Sequence, residues 1–288
     1  MRIEDIQKIC VIGAGSMGCQ IAWSAALAGY RVSCTDVSLE MLYHAKAFAE
    51  SYFPARVTKG KLTQEQVNAA KENISFTQNL EEAAADSDFA IESVIEKIDI
   101  KRKIFAELDR ITQPHAILVT NSSFIVSSKI ASATKRPEKI CNMHFFNPVL
   151  KMNIVEVVQG PHTSAETAEL TLGVCEKMGK QGILLKKEIY GFLVNRFIRA
   201  LNHEALYLAE MGVASPEEID LAVTNALGHP IGPFRLMDFT GNDLSYIIEM
   251  ERYQETGDPK DKPSPLITEK YFKGEWGRKT KKGFYSYE

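Results

Sequence analysis

Short runs of apolar and β-branched residues recur through the first part of the chain, with helical stretches between them. Runs of this length predict buried strands, and their alternation with helices is typical of βαβ units around a parallel sheet. The predicted strands are Lys8–Ile12, Arg31–Asp36, Ile74–Thr77, Phe89–Val94, Ile117–Asn121, Lys139–Phe145, Asn153–Val158 and Gly182–Leu185.

Helix signals lie between the first strands. Met17–Ala28 is predicted as a helix that ends at Gly29, because glycine adopts the left-handed conformation of a helix end without strain. Thr63 and Gln66 have the spacing of a capping box, in which each side chain bonds the backbone of the other, and they predict the start of a further helix.

After about Lys187 the strand pattern ends and helical periodicity takes over, first in Phe192–Met211. Ser215-Pro-Glu-Glu218 then places a capping serine, a first-turn proline and a capping-box glutamate in the order that opens a helix. We therefore predict a sheet-containing domain over residues 1–187 and an all-helical domain over residues 188–288.

Composition excludes several classes of protein. Hydrophobic residues make up 45% of the 288 residues, enough for two cores, and the net charge of −3 argues against a nucleic-acid partner. No apolar run approaches the ~20 residues that cross a bilayer, and the N-terminal segment lacks the pattern of a signal peptide, so we expect a soluble, cytoplasmic protein without membrane contact. The five cysteines form no CxxC pair and predict buried, reduced thiols.

A glycine-rich segment, Gly13-Ala-Gly15-Ser-Met-Gly18, joins the first predicted strand to the first helix. In this context the first glycine permits a tight turn, the second lets the backbone approach a pyrophosphate, and the third lets helix and strand pack closely. The phosphates then lie at the helix N-terminus, where free N–H groups favour negative charge. The predicted phosphate loop consists of Gly13, Gly15, Ser16, Met17 and Gly18.

Asp36 ends the second predicted strand, at the distance from the loop that a ribose-binding carboxylate has. A carboxylate there accepts hydrogen bonds from the ribose hydroxyls and repels a 2′-phosphate, so NAD is favoured over NADP as the cofactor. Together with the loop, it predicts a Rossmann-type α/β domain with a doubly wound, mostly parallel sheet.

His144 lies at the end of a predicted strand, in the segment HFFNP, and Glu156 lies on the next strand. Oxidation of an alcohol needs a base for the hydroxyl proton, and the pKa of histidine suits that task. A carboxylate such as Glu156 could orient the ring and stabilise its cation. The residues alone leave open the alternative that His144 is a packed histidine between aromatic rings.

Eight segments resemble the 3-hydroxyacyl-CoA dehydrogenase family, and most closely its short-chain, 3-hydroxybutyryl-CoA members. In the family's order and spacing they are GAGSMG, IESVIEKIDIKRKIFAELD, TNSS, HFFNPV, VEVV, GFLVNR, GHPIGPF and GFYSY. The resemblance covers essentially the whole chain. It implies NAD-dependent oxidation of an (S)-3-hydroxyacyl-CoA to the 3-oxoacyl-CoA, or the reverse, and a homodimer formed through the helical domain.

The resemblance also implies roles for single residues. His144 is the catalytic base, Glu156 its partner, Ser123 a contact of both substrate and cofactor, and Asn195 a substrate-positioning residue. Lys59 matches the position that supports the CoA nucleotide, although a solvated lysine is the ordinary alternative. Further residues placed at the NAD site are Glu96, Lys101, Asn147 and Lys279.

Three positions depart from the family pattern: Tyr190 stands for a proline, Lys281 stands for a glycine, and Pro54 should kink or stop a helix expected near CoA. These departures keep a second substrate class open, namely carnitine-type or other 3-hydroxy acids. A non-catalytic NAD-binding protein is the remaining alternative. His203 and the other histidines are predicted as packing or loop residues, and no spacing predicts a metal site.

Overall fold

The computed structural model describes all 288 residues, Met1–Glu288. The chain divides into two compact units, Met1–Leu193 and Val194–Glu288. The division falls beyond Lys187, the predicted boundary, because the segment that follows Lys187 packs on the first unit. Phe192 is fully buried there, and the backbone N–H of Leu193 bonds to Glu156.

Eight strands form one sheet in the first unit. In chain order, β1 to β8 are Lys8–Ile12, Arg31–Thr35, Ile74–Thr77, Phe89–Glu92, Ile117–Thr120, Ile140–Phe145, Ile154–Val158 and Gln181–Leu185. Across the sheet the order is β3-β2-β1-β4-β5-β6-β7-β8. All neighbouring pairs are parallel except β6 with β7. The predicted strands and the doubly wound, mostly parallel sheet are confirmed.

Helices cover both faces of this sheet, as the alternation of buried side chains along β1 illustrates. Ile9 and Val11 belong to one hydrophobic cluster, while Cys10 and Ile12 belong to the cluster on the other face. A strand buried on both faces is expected to be apolar at nearly every position. In chain order, the helices α1 to α7 are Ser16–Leu27, Leu39–Thr58, Gln64–Glu72, Leu80–Ala84, Ile98–Ile111, Ser128–Ala131 and Ala165–Lys177.

Pro54 was predicted to kink or stop a helix, and helix α2 runs through it, so this proline does not stop the helix. Phe53 beside it is 1% exposed and packs edge-to-face on Trp23, with ring centroids 5.4 Å apart. Thr58 Oγ1 donates to the carbonyl of Pro54 over 3.0 Å. Tertiary packing of this turn therefore outweighs the missing backbone hydrogen bond at Pro54.

The second unit is built from helices around a small core that contains Leu206, Phe234 and Met237. Its first predicted helix is confirmed, and so is the capping box of Ser215 with Glu218. Lys281 adopts the left-handed conformation, with φ at 59°, which explains why glycine suits this position. In chain order, α8 to α12 are Val194–Glu210, Pro216–Ala226, Pro233–Thr240, Asn242–Thr256 and Pro265–Phe272.

All five cysteines are free and buried, as predicted. None of the helices combines the length and the apolar character that crossing a membrane requires.

Candidate active site

A crevice forms where β1 and β4 end side by side, because the chain continues from β1 to β2 on one side while β4 lies on the other. Ligands of open α/β sheets bind at such switch points, beyond the carboxyl ends of the strands. A cavity of about 820 Å³ opens there. Among the predicted site residues, those that line the cavity are Gly13, Gly15, Ser16, Met17, Asp36, Glu96, Lys101 and Ser123.

The three glycines of the loop differ in what a side chain would meet. A Cβ at Gly13 would lie 2.4 Å from the carbonyl oxygen of Ser93, and one at Gly18 would lie 1.9 Å from that of Gly13. A Cβ at Gly15 would meet nothing within 4 Å. Gly13 and Gly18 therefore permit close packing of the loop, and Gly15 exposes bare backbone at the start of α1, as a dinucleotide requires.

Asp36 follows β2 and ties it to the loop. Its two carboxylate oxygens accept from the backbone N–H groups of Ala14 and Ser38, each over 2.8 Å. The side chain is half-buried and lines the cavity. Each oxygen has a second lone pair for a ribose hydroxyl, and the negative charge disfavours a 2′-phosphate. Loop and carboxylate together fit NAD.

Lys101 joins two glutamates at the edge of the cavity. Its ammonium lies 2.7 Å from Glu92 Oε1 and 3.4 Å from Glu96 Oε2. Lys101 is 1% exposed and Glu92 is fully buried. Glu92 also accepts from the N–H of Val94 over 2.7 Å and from the hydroxyl of Thr120 over 2.6 Å. A buried charge is tolerated when it is paired and fully hydrogen-bonded in this way.

Glu96 anchors the loop that carries Ser123. It accepts from the Ser122 hydroxyl, and from the backbone N–H groups of Phe124 over 3.2 Å and Ile125 over 3.4 Å. The same carboxylate contacts Lys101. The Glu96 side chain therefore links the wall of the cofactor cavity to the loop that carries Ser123.

His144 lies between a hydroxyl and a carboxylate. Its Nε2 is 3.0 Å from Ser123 Oγ, and its Nδ1 is 2.8 Å from Glu156 Oε2. An ionised carboxylate only accepts, so Nδ1 carries the proton and Nε2 accepts from the serine hydroxyl. His144 and Glu156 stand directly opposite each other in the antiparallel register of β6 and β7. The sheet itself therefore sets their spacing.

Glu156 is fully buried and is held from a second side. Its Oε1 accepts from the backbone N–H of Leu193 over 2.9 Å. The ring of Phe192 packs 5.4 Å from that of His144, and Phe146 meets the same ring edge-to-face at 4.7 Å. His144 is 4% exposed between these rings, and the low polarity of such surroundings strengthens its contact with the carboxylate.

Of the other predicted site residues, two belong to the first unit and two to the second. Asn147 is exposed after β6 and does not line the cavity, and Lys59 is exposed at the C-terminal end of α2. Asn195 lies in the first turn of α8 in the second unit. In the same unit, Lys279 lies 2.5 Å from Asp243 and over the ring of Trp276.

Sequence reasoning missed several groups that shape the site. Asn121, at the end of β5, donates to Ser93 over 3.2 Å and accepts from the N–H of Phe145 over 2.9 Å, so it joins three neighbouring strands. Glu92 and Ser122 were missed as well. All three follow or end a strand at the carboxyl edge of the sheet, and that position was the available signal.

His203 was expected to be a packing residue. It lies 2.7 Å from Glu249, a residue of α11 that is distant in sequence and has no spacing relation to it. The chain contains no cluster of three or more His, Cys, Asp and Glu residues that could hold a metal ion.

Comparison with known proteins covers the whole chain. Residues 8–189 match the family model of the 3-hydroxyacyl-CoA dehydrogenase NAD binding domain, and residues 191–287 match the model of the C-terminal domain. A probable 3-hydroxybutyryl-CoA dehydrogenase of Bacillus subtilis is 40% identical over 99% of this chain and 98% of its own length. A 3-hydroxybutyryl-CoA dehydrogenase of Bradyrhizobium diazoefficiens is 38% identical over 98% of this chain and 96% of its own.

A solved structure agrees with these relatives. The (S)-3-hydroxybutyryl-CoA dehydrogenase of Ralstonia eutropha superposes with a TM-score of 0.92 at 35% identity, over 98% of this chain and 99% of that one. Both family models match, and the loop, Asp36 and the cavity fit NAD. The chain therefore belongs to the 3-hydroxyacyl-CoA dehydrogenase family and is an NAD-dependent oxidoreductase.

Proposed function

We propose that this protein oxidises a short-chain (S)-3-hydroxyacyl-CoA, with 3-hydroxybutyryl-CoA as the simplest case, to the 3-oxoacyl-CoA, and catalyses the reverse reduction. The observation that carries the proposal is the Ser123–His144–Glu156 array, whose serine also lines the cofactor cavity. The substrates named for the similar dehydrogenases support the choice of thioester.

His144 acts as the base in this mechanism. Nε2 is an acceptor at the side where Ser123 opens to the cavity, so it takes the proton of the 3-hydroxyl group as that oxygen becomes a carbonyl. Ser123 lies 3.0 Å from the same nitrogen and can donate its hydroxyl to the substrate oxygen. The glycine loop and Asp36 would hold NAD⁺, which would supply the acceptor for the hydride that leaves C3.

Glu156 stabilises the imidazolium that forms. The carboxylate is fixed by the N–H of Leu193 and by its place opposite His144, so no reorganisation is needed when the proton moves. It also holds His144 in the tautomer whose Nε2 is free to accept.

Ser123 shares the binding of the thioester with residues outside this array. We propose that Asn195 positions the acyl group, that Lys59 contacts the CoA nucleotide, and that Asn147 and Lys279 contribute to the NAD site. The second unit then supplies substrate binding. We also propose a homodimer formed through this unit, in which the partner subunit would cover some of its exposed large apolar side chains: Phe197, Tyr207, Met211, Val213, Leu221 and Leu227.

The test is NADH oxidation, followed at 340 nm, with acetoacetyl-CoA as substrate and with free acetoacetate and dehydrocarnitine as controls. We expect rapid turnover of the thioester alone, and weak activity with NADPH because of Asp36. Turnover of a free acid in preference to the thioester would replace the proposal with the 3-hydroxy-acid class. In His144→Ala, turnover is expected to disappear while NADH binding, measured by fluorescence, persists.

A further inference from the structure

Two separate loops hold the two hydrogen bonds of His144. The loop after β5 carries Ser123, whose Oγ lies 3.0 Å from Nε2. The turn before α8 carries Leu193, whose N–H binds the carboxylate that bonds Nδ1. Any relative shift of these loops would change the orientation of the ring, because each controls one end of it.

The turn before α8 is strained. Gly191 and Phe192 both have positive φ, at 73° and 48°, and the N–H of Phe192 closes the turn on the carbonyl of Ile189 over 3.1 Å. A bulky residue with positive φ is uncommon and persists only where surrounding contacts hold it. This conformation is what directs the N–H of Leu193 at Glu156.

One contact joins the strained turn directly to the Ser123 loop. The rings of Tyr190 and Phe124 lie 5.2 Å apart between centroids, tilted by 33°, and both side chains are half-buried. Phe124 directly follows Ser123, and Tyr190 directly precedes the two residues with positive φ. The ring pair thus spans both supports of His144. Tyr190 is also a position at which this sequence departs from the family pattern.

We propose that Tyr190 and Phe124 are positioning residues, which act as a pair to fix the Ser123 and Glu156 hydrogen bonds of His144 at once. Loss of either ring loosens the turn and the Ser123 loop next to His144, while the hydrogen bonds of Glu188 with the Ser127 hydroxyl and the Ser128 N–H still hold their outer ends. The consequence is a loss of turnover rather than of cofactor affinity, since neither ring lines the NAD cavity.

The kinetic test rests on the proposed function and compares Tyr190→Ala, Phe124→Ala and the double variant in acetoacetyl-CoA reduction. Each single variant is expected to lower kcat about tenfold, because misplacement of reacting groups by about 1 Å can cost up to about 10²-fold. The double variant should lose little more than either single one, since the rings act together. KM for NADH should stay unchanged, and Tyr190→Phe, which keeps the ring, should retain more of the wild-type kcat than Tyr190→Ala.

The matched control is Tyr43→Ala, which removes a tyrosine that is 64% exposed on α2. If melting temperatures show that an alanine variant does not fold, Tyr190→Leu, which removes the ring but keeps an apolar side chain, replaces it in the comparison. Wild-type kcat in the alanine variants would overturn the proposal. So would an effect confined to KM for the thioester, which would make the pair a substrate contact, or a Tyr190→Phe variant as impaired as Tyr190→Ala.

A second readout does not depend on the substrate. The Nδ1 proton of His144, identified in the downfield proton NMR spectrum by its loss in His144→Ala, reports the bond to Glu156. We expect it to shift or broaden in Tyr190→Ala and to stay in place in Tyr43→Ala. An unchanged resonance in Tyr190→Ala would refute the inference even if acetoacetyl-CoA proved to be the wrong substrate. Inactivity of the wild type with all three carbonyl compounds would refute only the proposed function.

Discussion

Replacement of Glu156 by glutamine tests the electrostatic part of the mechanism with almost no change of shape. In the native protein the carboxylate accepts from His144 Nδ1 over 2.8 Å and from the backbone N–H of Leu193 over 2.9 Å. An amide has one acceptor oxygen and one donor group, so it can satisfy only one of these donors. Glu156→Gln therefore removes the negative charge. It also places the amide NH₂ group against one of the two native donors, which loses its acceptor.

The magnitude follows from the separation of the charges. With charge centres about 4 Å apart and an effective dielectric constant of about 20, a carboxylate and an imidazolium attract by about 4 kcal/mol. If this attraction is lost from the transition state and not from the ground state, the rate falls by about 10³-fold. The amide oxygen can still accept from Nδ1 and recover part of the loss. We therefore expect kcat to fall by about 10² to 10³-fold, with KM for NADH unchanged.

The assay is steady-state reduction of acetoacetyl-CoA, with NADH binding and urea denaturation measured on the same preparations. The unsatisfied donor should lower the free energy of unfolding by about 1–3 kcal/mol. Glu176→Gln, on the exposed face of α7, is the control for loss of one negative charge. A kcat of Glu156→Gln within about tenfold of the wild type would refute electrostatic stabilisation of His144 by this carboxylate.

Four further outcomes follow from the structure. Asp36→Ser should lower the kcat/KM preference for NADH over NADPH by about 10- to 100-fold in steady-state assays, since a charged hydrogen bond contributes about 1.5–3 kcal/mol. Lys101→Met should lower the free energy of unfolding by about 3–5 kcal/mol in urea titrations, because it leaves Glu92 buried and unpaired by a cation; a second change, Glu92→Gln, should restore part of it. Lys281→Gly should raise that free energy by about 0.5–1 kcal/mol, since relief of the left-handed conformation exceeds the entropy cost of glycine. At pH 8 a disulfide reagent should titrate no thiol until the protein unfolds, because burial raises the pKa to about 12 at Cys10, Cys19, Cys141 and Cys175.

The sheet could be predicted from sequence because its strands are buried on both faces. Strands such as β1 and β4 are short apolar runs bounded by turn residues, a signal that needs no knowledge of the partner strand. Pro54 shows the opposite case. Local chemistry argues against a helix there, and the packing of Phe53 on Trp23, which decides the matter, involves residues 30 positions apart that no periodicity connects.

For the site, the sequence predicted which side chains take part but not the backbone geometry that brings them together. Histidine and glutamate suggested a base and its partner, but their register depends on β7 being antiparallel to β6, which the sequence pattern does not specify. The N–H of Leu193 has no sequence signal at all, since every residue except proline carries one. Tyr190 was noticed as a departure from the family pattern, yet its contact with Phe124 required the fold.

Two buried carboxylates illustrate how the same residue type serves stability and catalysis in one sheet. Glu92 ends β4 against Lys101, where loss of either partner would leave the other buried and unpaired, and this pair fixes the wall of the cofactor cavity. Glu156 lies in β7 against His144, a group that becomes cationic only when it takes the substrate's proton. The attraction at Glu156 is therefore largest after proton transfer has begun, and an interaction that strengthens between ground state and transition state is one that raises kcat. Sheet register places Glu156 where this difference can act, and the strained turn at Phe192 keeps it there.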